Sequence, residues 1–185
     1  MKINIKIIKT ALFFTILLFV MGACQVATKM QVPVEGHYTY QHSWNYDIKE
    51  GHISVQETGT MDFYQDGTAV DSARQVYVVT FKEGGKATLV YKYISPSRWH
   101  VNGEDFYFGG IAGRLRMEVV DKQLEGCDEI IVNEVANNIV KTSRSSVEQE
   151  TKFHLDNLMI RMMKWSYTYP DGHTDTWVFY RVPTR

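Results

Sequence analysis

The side chains able to do chemistry are spread thinly along this chain. Its histidines stand at positions 37, 42, 52, 100, 154 and 173, with no pair four residues apart on a helix and no cysteine beside them, so the spacing that metal ligation needs is missing. A Gly-x-Ser-x-Gly elbow, a His-Glu-x-x-His helix and a Gly-rich phosphate loop opening a helix are all absent from the sequence. With no nucleophile set beside a base, neither an enzymatic activity nor a cofactor is expected. His100, Glu104 and Asp105 are the set whose clustering in a pocket would argue the other way. A net charge of -1 without a basic stripe excludes nucleic acid as a partner.

The aromatic residues say more. They make up 13% of the chain, and the 11 Tyr and 4 Trp together outnumber the 9 Phe, a composition that can line a cavity with apolar walls and polar tips. The same rings could equally fill a solid core. Met117, Met159, Met162 and Met163 favour a deformable lining.

One register makes a site concrete. If Asp171-Gly172 is a two-residue hairpin loop, Tyr167 faces Thr176, Trp165 faces Val178 and Met163 faces Tyr180. Arg161 then shares an apolar face with Met163, Trp165, Tyr167 and Tyr180, while Trp177 and Phe179 point the other way. A guanidinium on such a face needs an anionic partner. That partner is the carboxylate head of a ligand or an internal acid, unless Arg161 snorkels to water at the open end.

The elements that must position these residues are strands. From Gly36 onward, alternating segments follow one another: His37 to Ile48, His52 to Tyr64, Thr68 to Phe81, Lys86 to Ile94, Arg98 to Val101, Asp105 to Phe108 and Arg114 to Val120. Turn signals such as Asp66-Gly67, Gly84-Gly85 and Ser95-Pro96 separate them. After a helical stretch come Val147 to Leu155, a turn at Asp156-Asn157, Leu158 to Tyr169 and Thr174 to Val182.

In the hairpin at Asp66-Gly67, a two-residue loop sets Phe63 opposite Val70 and Met61 opposite Ser72, and assigns Met61 and Phe63 to the interior with Val76 and Val78. It also sets Asp62 opposite Asp71, which is unfavourable. Either both face water or a G1-bulged loop shifts the pairing. Residues 128–142 change period, with Ile131, Val135, Ile139 beside Val132, Ala136, Val140 on one stripe. One amphipathic helix capped by Asp128 is expected there, with a short strand at Ile130 to Val132 as the alternative.

The start of the chain reads as a leader. Lys2, Lys6 and Lys9 precede an apolar run too short to span a bilayer. Met21-Gly22-Ala23-Cys24 resembles the lipobox of bacterial lipoproteins. That resemblance implies a signal peptide over residues 1–23, a diacylated Cys24 that anchors the chain to a membrane, and a tether over residues 24–35. With no Asp after Cys24, sorting rules of that class imply the outer membrane, facing the periplasm. Cys127 then has no disulfide partner and is read as a small buried hydrophobe.

A sequence of antiparallel strands with one helix before the last three suits an all-β, up-and-down β-barrel over residues 36–185. Gly36-His37-Tyr38, the Gly-x-Met-x-Phe-x-x-Asp-Gly-Thr run at Gly59 to Thr68, and Trp99-His100-Val101-Asn102-Gly103 followed by Phe106-Tyr107 resemble the bacterial lipocalin-like lipoproteins. The resemblance implies a calycin-like barrel. The Trp-Arg closure of true lipocalins is not implied, because Tyr38 stands where their Trp would. The expected function is binding of a small apolar or amphipathic ligand at Arg161, Met163, Trp165, Tyr167, Tyr180, Met61 and Phe63. The alternative is a ligand-free interaction or inhibitor module of an envelope complex, with a filled interior and an outer patch involving Trp177, Phe179 or Trp44.

Overall fold

The computed structural model describes residues 33–183 of the chain. The expected signal peptide, Cys24 and most of the tether lie outside the described residues. Among the described residues nine strands and one helix follow in order: β1 Gly36–Asp47, β2 Gly51–Phe63, β3 Thr68–Phe81, β4 Lys86–Asn102, β5 Asp105–Gly110, β6 Arg116–Glu125, α1 Glu129–Val147, β7 Thr151–Met159, β8 Met162–Thr168 and β9 Thr174–Arg181. Eight of the strands hydrogen-bond antiparallel in the ring β3-β2-β1-β9-β8-β7-β5-β4, which closes through β3 and β4. The architecture is the closed antiparallel barrel with one helix that the alternation predicts. β6 pairs with β4 alone, taking the edge of Lys86 to Ile94 while β5 takes that of Ser97 to Asn102.

Two expected turns are absent. Ser95-Pro96 lies within β4, at the changeover where the neighbour switches from β6 to β5, and the Pro96 carbonyl accepts from Ile111 N at 2.9 Å. A residue without an N–H is tolerated at such a break in the ladder. Asp156-Asn157 is likewise no turn but a register shift inside the β7–β8 pairing. The chain reverses at Ile160-Arg161, between the paired Met159 and Met162.

Both Asp-Gly hairpins adopt the longer loop, not the two-residue one. At the first, Tyr64 N donates to Thr68 O at 2.9 Å and Gly67 N to Tyr64 O at 3.1 Å, with Gly67 at φ 79°. This is a tight turn followed by a left-handed glycine, the G1-bulged arrangement. Asp62 consequently faces Val70, and Asp71 faces Met61. At the last hairpin Tyr169 N donates to His173 O at 2.8 Å, Gly172 N to Tyr169 O at 2.9 Å, and Gly172 has φ 87°. A one-residue slip moves every side chain of the following strand to the opposite face. Ala69, Asp71, Ala73, Gln75, Tyr77 and Val79 of β3 are therefore buried, in place of the expected Val76 and Val78.

The helix extends to Val147, beyond the expected end at residue 142. Asp128 caps it, accepting from Ile130 N at 2.7 Å. Val132, Val135, Ala136 and Ile139 are buried, and each of the three larger side chains contributes about 2 kcal/mol by leaving water. They pack on Ile53, Val55, Tyr77, Val79, Ala87, Leu89 and Tyr91, and the Tyr91 hydroxyl donates to Ala136 O at 3.2 Å. A second cluster fills the other end of the barrel around Tyr38, Phe63, Phe106, Met163, Trp165 and Phe179.

The first loop rests against β4. Trp99 N donates to Gly67 O at 2.8 Å, and Trp99 Nε1 donates to Thr68 O at 2.9 Å. A Cβ at position 67 would meet the Trp99 carbonyl oxygen at 3.2 Å while forced to a positive φ. Gly67→Ala is therefore expected to lower stability by about 1 kcal/mol or more, read as a fall in urea midpoint at unchanged slope.

Candidate functional site

β1 pairs with β9 only through Tyr38, Thr39 and Tyr40. Beyond Tyr40, β1 continues with β2 alone as far as Asp47, and the barrel wall parts. A cavity of about 700 Å³ lies there. His42, Trp44 and Tyr46 line it from β1, Asp175, Trp177 and Phe179 from β9, and Ile139, Thr142, Ser143 and Ser146 from α1.

The apolar wall is a run of rings in contact. His42 stacks on Trp44 at 5.4 Å between centroids and lies 4.7 Å from Trp177. Phe153 stacks on Trp165 at 5.2 Å, and Trp165 meets Phe179 edge-on at 4.5 Å. Trp165 is 3% exposed, and its indole Nε1–H meets no acceptor among the described residues. Burial holds His42 below the usual imidazole range, with Asp175 opposing that shift, so His42 presents a neutral ring.

The floor of the cavity is polar. Glu57 and Asp71, each 8% exposed, and Gln75, 6% exposed, point inward from β2 and β3. Tyr40 Oη lies 2.7 Å from Asp71 Oδ1 and 3.1 Å from Glu57 Oε1. Gln75 Nε2 donates to Glu57 Oε1 at 3.0 Å, and the Tyr77 hydroxyl donates to Gln75 Oε1 at 3.2 Å. A phenol has one proton to give. Both Tyr40 bonds exist together only when Tyr40 donates to one carboxyl and accepts from the other, which must then carry a proton.

Electrostatics agree with that count. Burial and then the neighbouring Glu57 push Asp71 well above the usual carboxylate range, and burial also raises Glu57 against the Gln75 and Tyr40 hydrogen bonds. Tyr40 and Tyr93 are driven upward by burial first and Asp71 second, and so stay protonated. Two desolvated carboxyls sharing a site cannot both ionise cheaply.

The residues singled out from the sequence separate into three groups. Met61, Trp165 and Tyr167 line the cavity. Met163 and Phe63 are buried in the cluster at the closed end, away from it. Arg161 and Tyr180 are outside: Arg161 is exposed on the β7–β8 turn, and Tyr180 is 58% exposed. The register explains both. Met163 faces Phe179 and Trp165 faces Trp177, so Phe179 and Trp177 turn inward and Tyr180 outward, and Arg161 lies beyond the last ladder position. Of the possible catalytic set, His100 stacks on Tyr107 at 4.4 Å and Asp105 pairs with Lys152 at 2.7 Å. None of His100, Glu104 and Asp105 reaches the cavity. Cys127 is half-buried, with its thiol on Lys86 O at 3.3 Å.

Glu57, Asp71, Gln75 and Tyr40 were not singled out, yet signals existed. Glu57 has the same parity as Ile53, Val55, Met61 and Phe63, so an interior row was visibly interrupted by a carboxylate. The clash of Asp62 with Asp71 marked the register that the structure rejects.

The chain matches no protein-family model, and no curated protein matches it either. Among the described residues no group of three or more His, Cys, Asp and Glu could hold a metal ion.

The raised carboxyls have a consequence for stability. A group whose folded pKa lies above its unfolded value weakens the fold as pH rises above the unfolded value near 4, and does so fully once pH exceeds the folded value. The other ionisable groups facing the pair are Tyr40, Tyr77 and Tyr93, with His42, Tyr46, Tyr167, Tyr169 and Asp175 also on the cavity wall; α1 presents only uncharged side chains there. Asp71→Asn keeps the shape and cannot ionise. Its melting temperature is expected to exceed that of the parent by roughly 2 to 4 °C or more at pH 8, with the gap closing toward pH 4. A constant gap or a less stable variant at pH 8 would contradict the assignment.

Proposed function

We propose that this is a lipocalin-like carrier of the bacterial cell envelope that binds a small amphipathic molecule inside its barrel. The observation that carries the reading is the cavity of about 700 Å³, walled by aromatic rings and floored by hydrogen-bonded polar groups. Ligand sites have this volume and this division between apolar walls and a few placed polar atoms. A ligand-free module needs neither the void nor the buried carboxyls.

A contact at the closed end supports the lipocalin-like part. Arg181 lies over the Tyr38 ring at 5.0 Å and donates to its hydroxyl, while that hydroxyl donates to Val34 O at 2.8 Å. A Tyr and an Arg thus join the first and last strands, as the Trp-Arg closure of lipocalins does. The lipobox-like Met21-Gly22-Ala23-Cys24 supports anchoring through a lipid on Cys24. On that reading, Cys24→Ala moves the protein from the membrane pellet to the soluble fraction and abolishes labelling with a radioactive fatty acid.

A second reading is favoured by β6. It pairs with β4 alone and exposes Val119, Val120 and Leu124, which suits docking to an envelope protein. The two readings differ in what the interior does. Titration with the uncharged probe N-phenyl-1-naphthylamine is expected to give a saturable fluorescence rise at one site per chain, lost in Ser143→Trp, which fills the cavity from the helix. No rise in the parent protein would remove the carrier reading and leave the second.

A further inference from the structure

Resting on the reading of the cavity as a ligand site, we propose that its natural ligand is an organic ammonium ion, a cationic amine with an apolar body. The charged groups that the cavity turns inward set the sign. Glu57 and Asp71 lie at its floor, and no Lys or Arg is among the residues lining it. The interior is therefore built against an anionic head group, including the carboxylate that Arg161 would have received had it faced inward.

The floor also has the right capacity. Glu57, Asp71 and Tyr40 share too few protons for every oxygen to be paired within the protein, since one phenol bridges two acids. An ammonium supplies three donors and a full positive charge. It can replace the proton held between the acids, which leaves to solvent, and so lets both carboxyls ionise against it. Above the floor, His42, Trp44, Trp165, Trp177 and Phe179 present ring surfaces, and rings attract a cation and pack against an apolar body.

The Trp165 ring, 3% exposed, completes that wall, so the cavity asks for a positive head on an apolar body.

Three compounds with one ring system test the sign of the head group: 5-methoxytryptamine, 5-methoxytryptophol and 5-methoxyindole-3-acetate, which are cationic, neutral and anionic at pH 7. Calorimetric titration of the purified protein is expected to show the amine binding at least about tenfold more tightly than the alcohol, with no measurable binding of the acid. In Glu57→Gln and Asp71→Asn the preference for the amine over the alcohol should fall to within about twofold, and a preference kept in both variants would overturn the assignment. Equal affinity for all three, a preference for the acid, or no binding of any while N-phenyl-1-naphthylamine binds would each overturn the ammonium assignment. Loss of N-phenyl-1-naphthylamine binding in the parent would instead overturn the ligand site itself.

Discussion

One hydroxyl proton on Tyr40 has to serve two buried carboxyl groups, and much of the barrel interior is arranged around that shortage. Tyr40 is the last residue of β1 paired with β9, so the bridge sits at the level where the wall parts. Below it, Met61 and Phe63 of β2 and Ala69 and Ala73 of β3 belong to the packed end. Above it, Ile53 and Val55 of β2 and Tyr77 and Val79 of β3 belong to the cluster under the helix. Glu57 and Gln75 lie between these two apolar regions, and Asp71 interrupts the packed end between Ala69 and Ala73. Even the glycine opposite Tyr40 fits the arrangement: a Cβ at Gly59 would come within 2.9 Å of the Tyr40 ring.

Such a seam lowers stability. Apolar side chains of similar volume at 57 and 71 would bury without desolvating a charge, and replacing buried ionic groups in this way is often neutral or stabilising. What the polar seam maintains is a chemically distinct floor beneath an aromatic wall. The two ends of the barrel divide the work accordingly. The closed end is dense with edge-on ring contacts, such as Phe63 with Tyr38 at 5.7 Å and with Phe106 at 5.9 Å. At the other end, the C-terminal half of α1 contributes small or polar residues, Thr142, Ser143 and Ser146, toward the void.

How much of this could be read from the sequence depended on whether parity or register was at stake. Alternation along a strand needs only the strand itself, and it sufficed for the antiparallel barrel, for the inward direction of Met61, Phe63, Met163 and Trp165, and for a helix capped at Asp128; it did not show that β6 stands outside the ring. Pairing across a turn needs the turn type. Asp-Gly fits a two-residue loop, and it equally fits the end of a three-residue loop in which glycine takes the left-handed position. Sequence spacing alone does not separate these; the Trp99 contacts to Gly67 and Thr68, made from a strand 31 residues away, help to hold the longer one.

That single ambiguity reversed the chemistry expected of the interior. With the shorter loops, Asp71 faces water, Tyr180 lines the site, and the charge drawn inside is the positive one of Arg161. With the longer loops Asp71 turns in beside Glu57, Trp177 and Phe179 replace Val178 and Tyr180, and the inward charge is negative. The opposed pair Asp62 and Asp71 already distinguished the two, because the short loop sets like charges side by side whereas the long loop sets Asp71 opposite Met61. The register thus sets the sign of the cavity. The same one-residue step that relieves repulsion on the outside of the β2–β3 hairpin commits the inside to an acidic floor.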